Sequence, residues 1–448
     1  MGSFSFSCQI HTVPVCLTQD TTEARLLRAN DHLPPRYDEP TLLETGITRM
    51  ENPQYSEIYE TLIRRVFRID DITLGSAKEP YIARFRGELT LPDSIAAYEQ
   101  LYNAFTPYRI IPLFRKIDDQ QVVLLVAAPP ERKPSNPRVN ILFFVLTLLS
   151  ILFSGALSSG VETPLPAQPL AWVAEVFSRG WPFALAMISI LVTHEFGHYL
   201  VSRRHGVKVS LPYFIPLPFT PFGTMGAFIN IKEPPKNRRQ LLDIALAGPL
   251  AGFVVSVAVV LIGLSLSTLE RLPLTIPEGQ IIQMEGNSLL YLLLKFIQFG
   301  KWLPEPGAFG GVPPLLYWVR YLFTGQPAPL GSLDVFIHPV AWAGWAGLLL
   351  TSINLLPVGQ LDGGHLAQLL FGKKTTRKFL PVIFLAMVAM GFVWSGWWLW
   401  ALIILIFGQI YAEPLDQITE LNTSRKWLAA AGFFLFLITF TPIPLLIF

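Results

Sequence analysis

The sequence is short of charge and almost without cysteine, and both shortages exclude classes of protein. Only 15% of its 448 residues are charged and 51% are hydrophobic, whereas an ordinary soluble domain carries about 25% charged residues. A chain this apolar is not soluble throughout its length. Its two cysteines, Cys8 and Cys16, both lie near the N-terminus. They therefore exclude a disulfide framework, or a thiolate metal site, that involves the rest of the chain.

The chain also lacks an excess of charge of either sign. Its 34 Lys and Arg residues nearly balance 32 Asp and Glu residues, which argues against nucleic acid as a partner, since proteins that bind nucleic acid carry a basic face. The first residues show neither a secretory signal peptide nor an Arg- and Ser-rich transit peptide. We therefore expect a bacterial plasma or thylakoid membrane rather than a chloroplast membrane.

The charged residues that are present define the domain organisation. Residues 1–50 are polar, contain prolines and have no clean period, so we expect a loosely ordered tail. Residues 51–130 predict a small soluble α/β domain, and the proline-containing residues 131–138 predict a linker. Residues 139–448 predict a membrane-embedded domain. Within the α/β domain the periodicity predicts two helices and three strands, at residues 55–67, 82–91, 93–105, 108–117 and 121–128.

Hydrophobic runs of about 20 residues, the length that crosses a bilayer, fill the membrane half. Five runs predict single spans, and the longer run 379–411 predicts a hairpin of two short helices that turns near Ser395-Gly396. The fold class is therefore a multi-pass α-helical membrane protein of about seven spans with an N-terminal α/β domain. The five single runs are residues 139–158, 181–202, 240–266, 336–360 and 427–447.

The distribution of basic residues predicts how these spans are oriented in the membrane. The segments that flank the predicted spans are alternately rich and poor in basic residues along the chain. This is the positive-inside pattern, and it predicts a cytoplasmic N-terminal domain. Two further apolar segments, 287–300 and 312–323, each hold a Lys or Arg in the middle. We expect interfacial or re-entrant helices there rather than an extra pair of spans.

The second predicted span contains His194, Glu195 and His198, which form an H-E-x-x-H motif. Residues four apart share one face of a helix, so the two histidines can bind one metal ion. Glu195 lies beside the first ligand, where its carboxylate can take a proton from an attacking water. Because such side chains are costly in an apolar span unless paired or metal-bound, we favour a metal site over hydrogen bonds that only pack helices.

A catalytic zinc site needs a third protein ligand, and Asp362 is the candidate. It follows the apolar run 336–360 and precedes glycines that let the backbone come close to a metal. The runs 181–202 and 336–360 are both predicted to end on the cytoplasmic side, which places His198 and Asp362 at one depth. His365, one helical turn beyond Asp362, is the rival ligand and otherwise a capping or supporting residue.

Several motifs, in this order, resemble those of the site-2 protease family of intramembrane zinc metalloproteases. They are HEFGH, FGTMGAFINIKEPP, AGPLAG and an N-x-x-P-x-x-x-x-D-G motif that starts at Asn354. Residues 338–365 are most similar to the photosynthetic branch, the ethylene-dependent gravitropism-deficient and yellow-green-like proteases of plastids and their bacterial relatives. The resemblance covers about residues 138–448, and residues 51–130 match none of the accessory modules known to us in this family.

The resemblance implies a metalloendopeptidase with one Zn²⁺ per chain, bound by His194, His198 and Asp362. It implies Glu195 as the general base and Asn354 as a hydrogen-bond donor to the developing oxyanion, although a helix-packing hydrogen bond is the alternative for Asn354. The implied reaction is hydrolysis of a peptide bond in or near a transmembrane helix. The implied partners are membrane-anchored protein substrates and the lipid bilayer, with an unidentified regulator that acts through the N-terminal domain left open.

Two glycine-containing segments have both a structural and a functional interpretation. Gly223, Thr224 and Gly226 lie in a segment whose flanks are both on the basic side, so a re-entrant loop or hairpin fits. The resemblance implies that this segment presents an edge strand to an extended substrate; a structural plug is the alternative. Gly248 and Gly252, with a proline between them, predict helix packing and a kink rather than chemistry.

Two other functions compete with an intramembrane protease. One is a membrane scaffold whose metal is only structural, which the intact set of His194, Glu195, His198 and Asp362 argues against. The other is a transporter with a metal-gated path, which the absence of a visible internal repeat argues against.

Overall fold

The computed structural model describes residues 53–76, 79–130, 135–161, 168–276, 282–306, 309 and 311–447. The predicted tail and residues 131–134, half of the predicted linker, lie outside these residues. The described chain begins with two helices and four strands: α1 (Pro53–Arg64), β1 (Phe67–Leu74), β2 (Ala83–Leu89), α2 (Ser94–Phe105), β3 (Ile110–Ile117) and β4 (Gln120–Ala127).

The four strands form one antiparallel sheet in the order β1-β2-β4-β3. Helices α1 and α2 cover one face, where buried Tyr59 and Tyr98 join Phe85 and Phe114 in a common core. The carboxylate of Asp93 accepts the N–H of Ile95 and caps α2, as expected for an N-terminal Asp. Both predicted helices and the three predicted strands are present.

Strand β1 was not predicted, and the first helix is shorter than expected. The helix was predicted to continue to Phe67, but it ends at Arg64, and Phe67 opens β1. The sequence FRIDDITL gives little alternation of apolar and polar residues, and most of its side chains are exposed. β1 is an edge strand paired only with β2 within the sheet, which explains why its hydrophobic signal is weak.

The second half of the chain is mainly helical. Its helices are α3 (Pro137–Ser158), α4 (Pro169–Arg204), α5 (Arg238–Ser265), α6 (Leu289–Phe299), α7 (Pro314–Thr324), α8 (Pro339–Asn354), α9 (Asp362–Phe371), α10 (Lys373–Gly391), α11 (Gly396–Phe407) and α12 (Thr423–Thr439). Short strands pair between them as β5 (Tyr213–Pro216) with β6 (Thr224–Phe228), β7 (Thr268–Arg271) with β9 (Leu333–Phe336), and β8 (Gln283–Glu285) with β10 (Leu445–Ile447).

Three helices of the described chain, α3, α4 and α5, are long and apolar enough to cross a membrane. Helix α4 has 36 residues and is about 54 Å long, because it begins twelve residues before the predicted span. The charged Glu175 and Arg179 hid this extension in the sequence; in the structure they form an exposed ion pair one helical turn apart, at 3.1 Å. The hydrophobic core of the membrane half lies where α4, α5 and α8 pack together.

The other predicted spans form shorter helices. The run 336–360 becomes α8, which has 16 residues, followed by turns that lead to Asp362. The run 379–411 becomes α10 and α11 with a break at residues 392–395, close to the predicted turn. The last predicted span is wrong at its end: α12 stops at Thr439, and residues 445–447 form β10. Pro442 and Pro444 prevent the helix from continuing.

The segment that contains Gly223 and Gly226 is a hairpin, as predicted, formed by β5 and β6. Helix α3 holds it with buried polar side chains: Asn140 donates to the carbonyl of Leu211 at 2.8 Å, and Ser154 donates to that of Thr220 at 2.8 Å. Gly223 has a φ of 69°, a conformation that favours glycine. The hairpin is therefore fixed against α3, and β6 also contacts α4.

Candidate metal centre

The two histidines of the H-E-x-x-H motif lie one turn apart on α4 and are both buried. Nδ1 of His198 lies 2.7 Å from the carbonyl oxygen of Ile244 on α5. A backbone carbonyl only accepts hydrogen bonds, so the proton of a neutral His198 belongs on Nδ1. This leaves the lone pair of Nε2 for a metal, the arrangement by which metal-binding histidines are usually oriented.

Asp362 reaches the same place from α9, of which it is the first residue. The two glycines after it allow a close approach of α9 to the preceding turn. A Cβ on Gly363 would lie 1.9 Å from the carbonyl oxygen of Leu355, and one on Gly364 would lie 2.4 Å from that of Gly359. No side chain fits at either position, so these glycines let α9 start where Asp362 faces the histidines.

Three candidate ligand atoms converge at this point. Nε2 of His194 and Nε2 of His198 are 3.3 Å apart, and Oδ2 of Asp362 lies 3.8 Å from the first and 3.4 Å from the second. Tetrahedral zinc with bonds of about 2.0–2.1 Å separates its ligand atoms by about 3.3–3.4 Å. The spacing therefore fits one zinc ion held by His194, His198 and Asp362, which are the three residues predicted from the sequence.

Unpaired oxygens support a cation at this position. Asp362 is 1% exposed, yet among the described residues neither of its carboxylate oxygens has a hydrogen-bond partner. A buried carboxylate in that condition is costly unless a cation compensates it. Oε2 of Glu195 is likewise buried and has no hydrogen-bond partner in the described chain. This is compatible with a general base that binds a water molecule.

The amide nitrogen of Asn354 lies 3.2 Å from Nε2 of His194. Asn354 is the last residue of α8 and is buried, so it lies at the edge of the candidate site. His365 is also buried beside this region. It does not belong to the group of ligand atoms that lie within 4.8 Å of one another, so the geometry favours Asp362 over this rival.

Gly248 and Gly252 form the wall of the site on α5, which the sequence did not reveal. A Cβ on Gly248 would lie 2.0 Å from Nε2 of His198, and one on Gly252 would lie 3.0 Å from Nδ1 of His194. The prediction of helix packing was correct but incomplete, since the partners of these glycines are the candidate metal ligands themselves. Only the spacing of four, matching that of the histidines, could have indicated this.

Known proteins to which this chain is similar are described as peptidases or zinc metalloproteases. Residues 182–394 match the family model described as Peptidase family M50. The chain is 33% identical over 266 residues to "Probable zinc metalloprotease EGY1, chloroplastic" of Arabidopsis thaliana, an alignment that covers 58% of this chain and 43% of the relative.

Two further relatives carry similar names. The chain is 30% identical over 324 residues to "Probable zinc metalloprotease EGY1, chloroplastic" of Oryza sativa subsp. japonica, covering 68% of this chain and 50% of the relative. It is 30% identical over 273 residues to "Probable zinc metalloprotease EGY2, chloroplastic" of Arabidopsis thaliana, covering 60% and 43%. The chain thus spans half or less of the length of these curated relatives.

Proposed function

We propose that the protein is a zinc-dependent intramembrane endopeptidase of the site-2 protease type, since its residues 182–394 match the model of peptidase family M50. It hydrolyses a peptide bond in or near a transmembrane helix of a membrane-anchored protein. The observation that carries the proposal is the convergence of His194, His198 and Asp362 at ligand spacing, beside a buried Glu195.

His194, His198 and Asp362 would hold the zinc ion, whose chemistry is to polarise the scissile carbonyl and to make water acidic enough to ionise near neutral pH. Glu195 takes the proton of the attacking water and returns it to the leaving amine. In this proposal Asn354 donates its amide N–H to the developing oxyanion. The packed helices around these residues keep bulk water from the site.

The hairpin of β5 and β6 is the proposed substrate platform. A helical substrate hides its carbonyls in internal hydrogen bonds, so it must be extended before it is cut. Residues 224–228, with Thr224 and Gly226, would pair with the extended segment as an added strand. Photo-crosslinking from Met225 to a bound substrate tests this assignment, and crosslinks only to segments remote from the cleaved bond would reject it.

We propose seven spans, with the α/β unit of residues 53–127 on the cytoplasmic side. Basic side chains flank the same side of the membrane half, at Arg203 and Arg204 in the last turn of α4 and at Lys373 and Lys374 at the start of α10. Labelling of a cysteine at the exposed Glu99, in a chain with Cys8 and Cys16 replaced by serine, tests the orientation. Labelling from the opposite side of the membrane would reverse it.

Metal-dependent cleavage in lipid is the direct test of the proposed activity. The purified chain is reconstituted in liposomes with a library of single-span peptides that carry Gly, Pro or Asn within the span. We expect cleavage near those residues, because they weaken the helix, with loss of cleavage on chelation and its return with added zinc. A zinc-loaded chain that cuts no member would support the scaffold, and metal flux without cleavage would support the transporter.

A further inference from the structure

The α/β unit is joined to the membrane half by a segment that lies between them in space. We call residues 413–419 the strap; they connect α11 to α12. The N–H of Phe114 on β3 donates to the carbonyl of Leu415 at 3.0 Å, and the N–H of Gln417 donates to the carbonyl of Phe114 at 3.0 Å. The strap therefore adds a short parallel pairing to β3, the edge strand of the sheet.

Side chains reinforce this pairing, and Arg115 is the main one. Its Nη1 donates to the carbonyl of Leu415 at 2.8 Å, to that of Pro414 at 3.2 Å and to that of Phe114 at 2.9 Å. Its guanidinium also lies 4.0 Å from the carboxylate of Glu413. Burial lowers the pKa of Arg115, and a charge so removed from water is costly unless polar groups surround it.

Further contacts complete the interface between the α/β unit and the strap. The hydroxyl of Ser94 on α2 lies 2.9 Å from that of Thr419, and both are buried. Leu415 and Ile418 pack against the core of the sheet. Asp416, fully buried, accepts the N–H of Ile418 at 2.8 Å and that of Thr419 at 3.2 Å. These bonds fix the shape of the strap.

The other side of the strap holds the beginning of α5. The N–H of Leu415 donates to the carbonyl of Pro235 at 3.0 Å, and the N–H of Asp416 donates to that of Lys236 at 2.7 Å. The next residue, Asn237, caps α5 by accepting the N–H of Gln240 at 2.9 Å. The strap is thus held between the sheet and the N-terminus of α5.

Helix α5 carries the groups that orient the histidines. The carbonyl of Ile244 accepts the hydrogen bond from Nδ1 of His198. Ile244 lies seven residues after Asn237, which is about 10 Å along the helix. Gly248 and Gly252 follow on the face toward the two histidines. A shift or rotation at the start of α5 would therefore move the carbonyl and the wall that define the candidate metal site.

We propose that Arg115 is a positioning residue for the metal site, acting through the strap on the start of α5. The inference rests on the metal site proposed above. It gives the α/β unit a role, since any ligand or protein that loosens β3 from the strap would alter the site without touching it. The coupling is mechanical and runs through hydrogen-bonded backbone segments that are contiguous in the structure.

The test compares Arg115→Met with Arg115→Lys and Arg84→Met in the purified full chain. Arg84 is the matched control, because it lies in the same sheet, and among the described residues its side chain donates to Thr73 and stacks on Tyr81 without contacting the strap. Zinc affinity is measured by chelator competition, and the visible spectrum of the cobalt-substituted protein reports the ligand geometry. We expect Arg115→Met to lower zinc affinity about tenfold, as changes behind metal ligands do, and to alter the cobalt spectrum. Arg115→Lys should restore part of both, and Arg84→Met should change neither.

A folded Arg115→Met with the zinc affinity and cobalt spectrum of the wild type would overturn the proposal. If Arg115→Met does not fold, Ser94→Ala decides, because it removes one buried bond between α2 of the α/β unit and the strap without changing charge. Unchanged zinc affinity in Ser94→Ala would also overturn the proposal. The metal readouts separate this inference from the proposed activity. A wild-type chain that binds zinc but cuts no substrate would contradict the activity alone.

Discussion

Glu195→Gln is expected to lower the rate of substrate cleavage by about 10²–10⁴-fold, the usual contribution of a general base, while zinc content stays unchanged. Glutamine has nearly the shape of glutamate but cannot take a proton from water. Glu195 is not one of the three residues whose ligand atoms converge, so its replacement leaves the candidate ligand set complete. The measurement is the turnover of a single-span substrate in liposomes, together with metal analysis of the same preparation.

Asn354→Ala is the comparison variant for this experiment. Loss of one oxyanion donor costs about 10²–10³-fold in kcat, but it leaves the base in place, so the pH profile of the remaining activity should be unchanged. Glu195→Gln should instead remove the pH dependence of the cleavage rate that arises from ionisation of the base. Full cleavage by Glu195→Gln would reject the proposed mechanism, and loss of zinc in that variant would mean that Glu195 is a ligand.

Gly248→Ala is expected to lower zinc affinity by about 100-fold, the upper end for changes behind metal ligands, and to abolish cleavage. The added methyl group would lie 2.0 Å from Nε2 and 2.3 Å from Cδ2 of His198. The ring cannot swing away without breaking its 2.7 Å contact with the carbonyl of Ile244. Folding should survive, because alanine is a better helix former than glycine.

Two other glycines provide a graded control. In Gly252→Ala the methyl group would lie 3.0 Å from Nδ1 of His194, so a small adjustment suffices and the loss of affinity should stay below about tenfold. In Gly432→Ala, on α12, the methyl group would meet, among the described residues, the ends of two leucine side chains at 2.9 Å, and zinc affinity should not change. Equal affinities for Gly248→Ala and Gly432→Ala would contradict the placement of α5 against His198.

The sequence predicted those parts of the site that depend on local spacing. His194 and His198 share a helix face by the four-residue rule, and Glu195 lies between them in sequence. Asp362 was predicted from a different argument, because two spans that run in the same direction end at the same depth. The structure brings its carboxylate within 3.4 Å of His198.

The parts that were missed depend on contacts distant in sequence. Gly248 and Gly252 gave a pattern typical of helix packing, and nothing local showed that histidines are what they pack against. Arg115 bonds to Leu415, 300 residues away, and no periodicity reports such a pair. Strand β1 gives a weak sequence signal because an exposed edge strand needs few apolar residues. The apolar run 427–447 extends past the end of α12 because Pro442 and Pro444 prevent a helix there without making the run polar.

Zinc content of the purified wild-type chain, measured beside that of Asp362→Ala, tests the central claim most directly because it requires no known substrate. We expect about one zinc per chain in the wild type, as a site with three protein ligands would bind, and almost none in the variant. Zinc retained in Asp362→Ala would reject Asp362 as an essential ligand and favour His365 as the third ligand. A wild-type chain without zinc, in a preparation shown not to strip metal, would contradict the metalloprotease assignment itself.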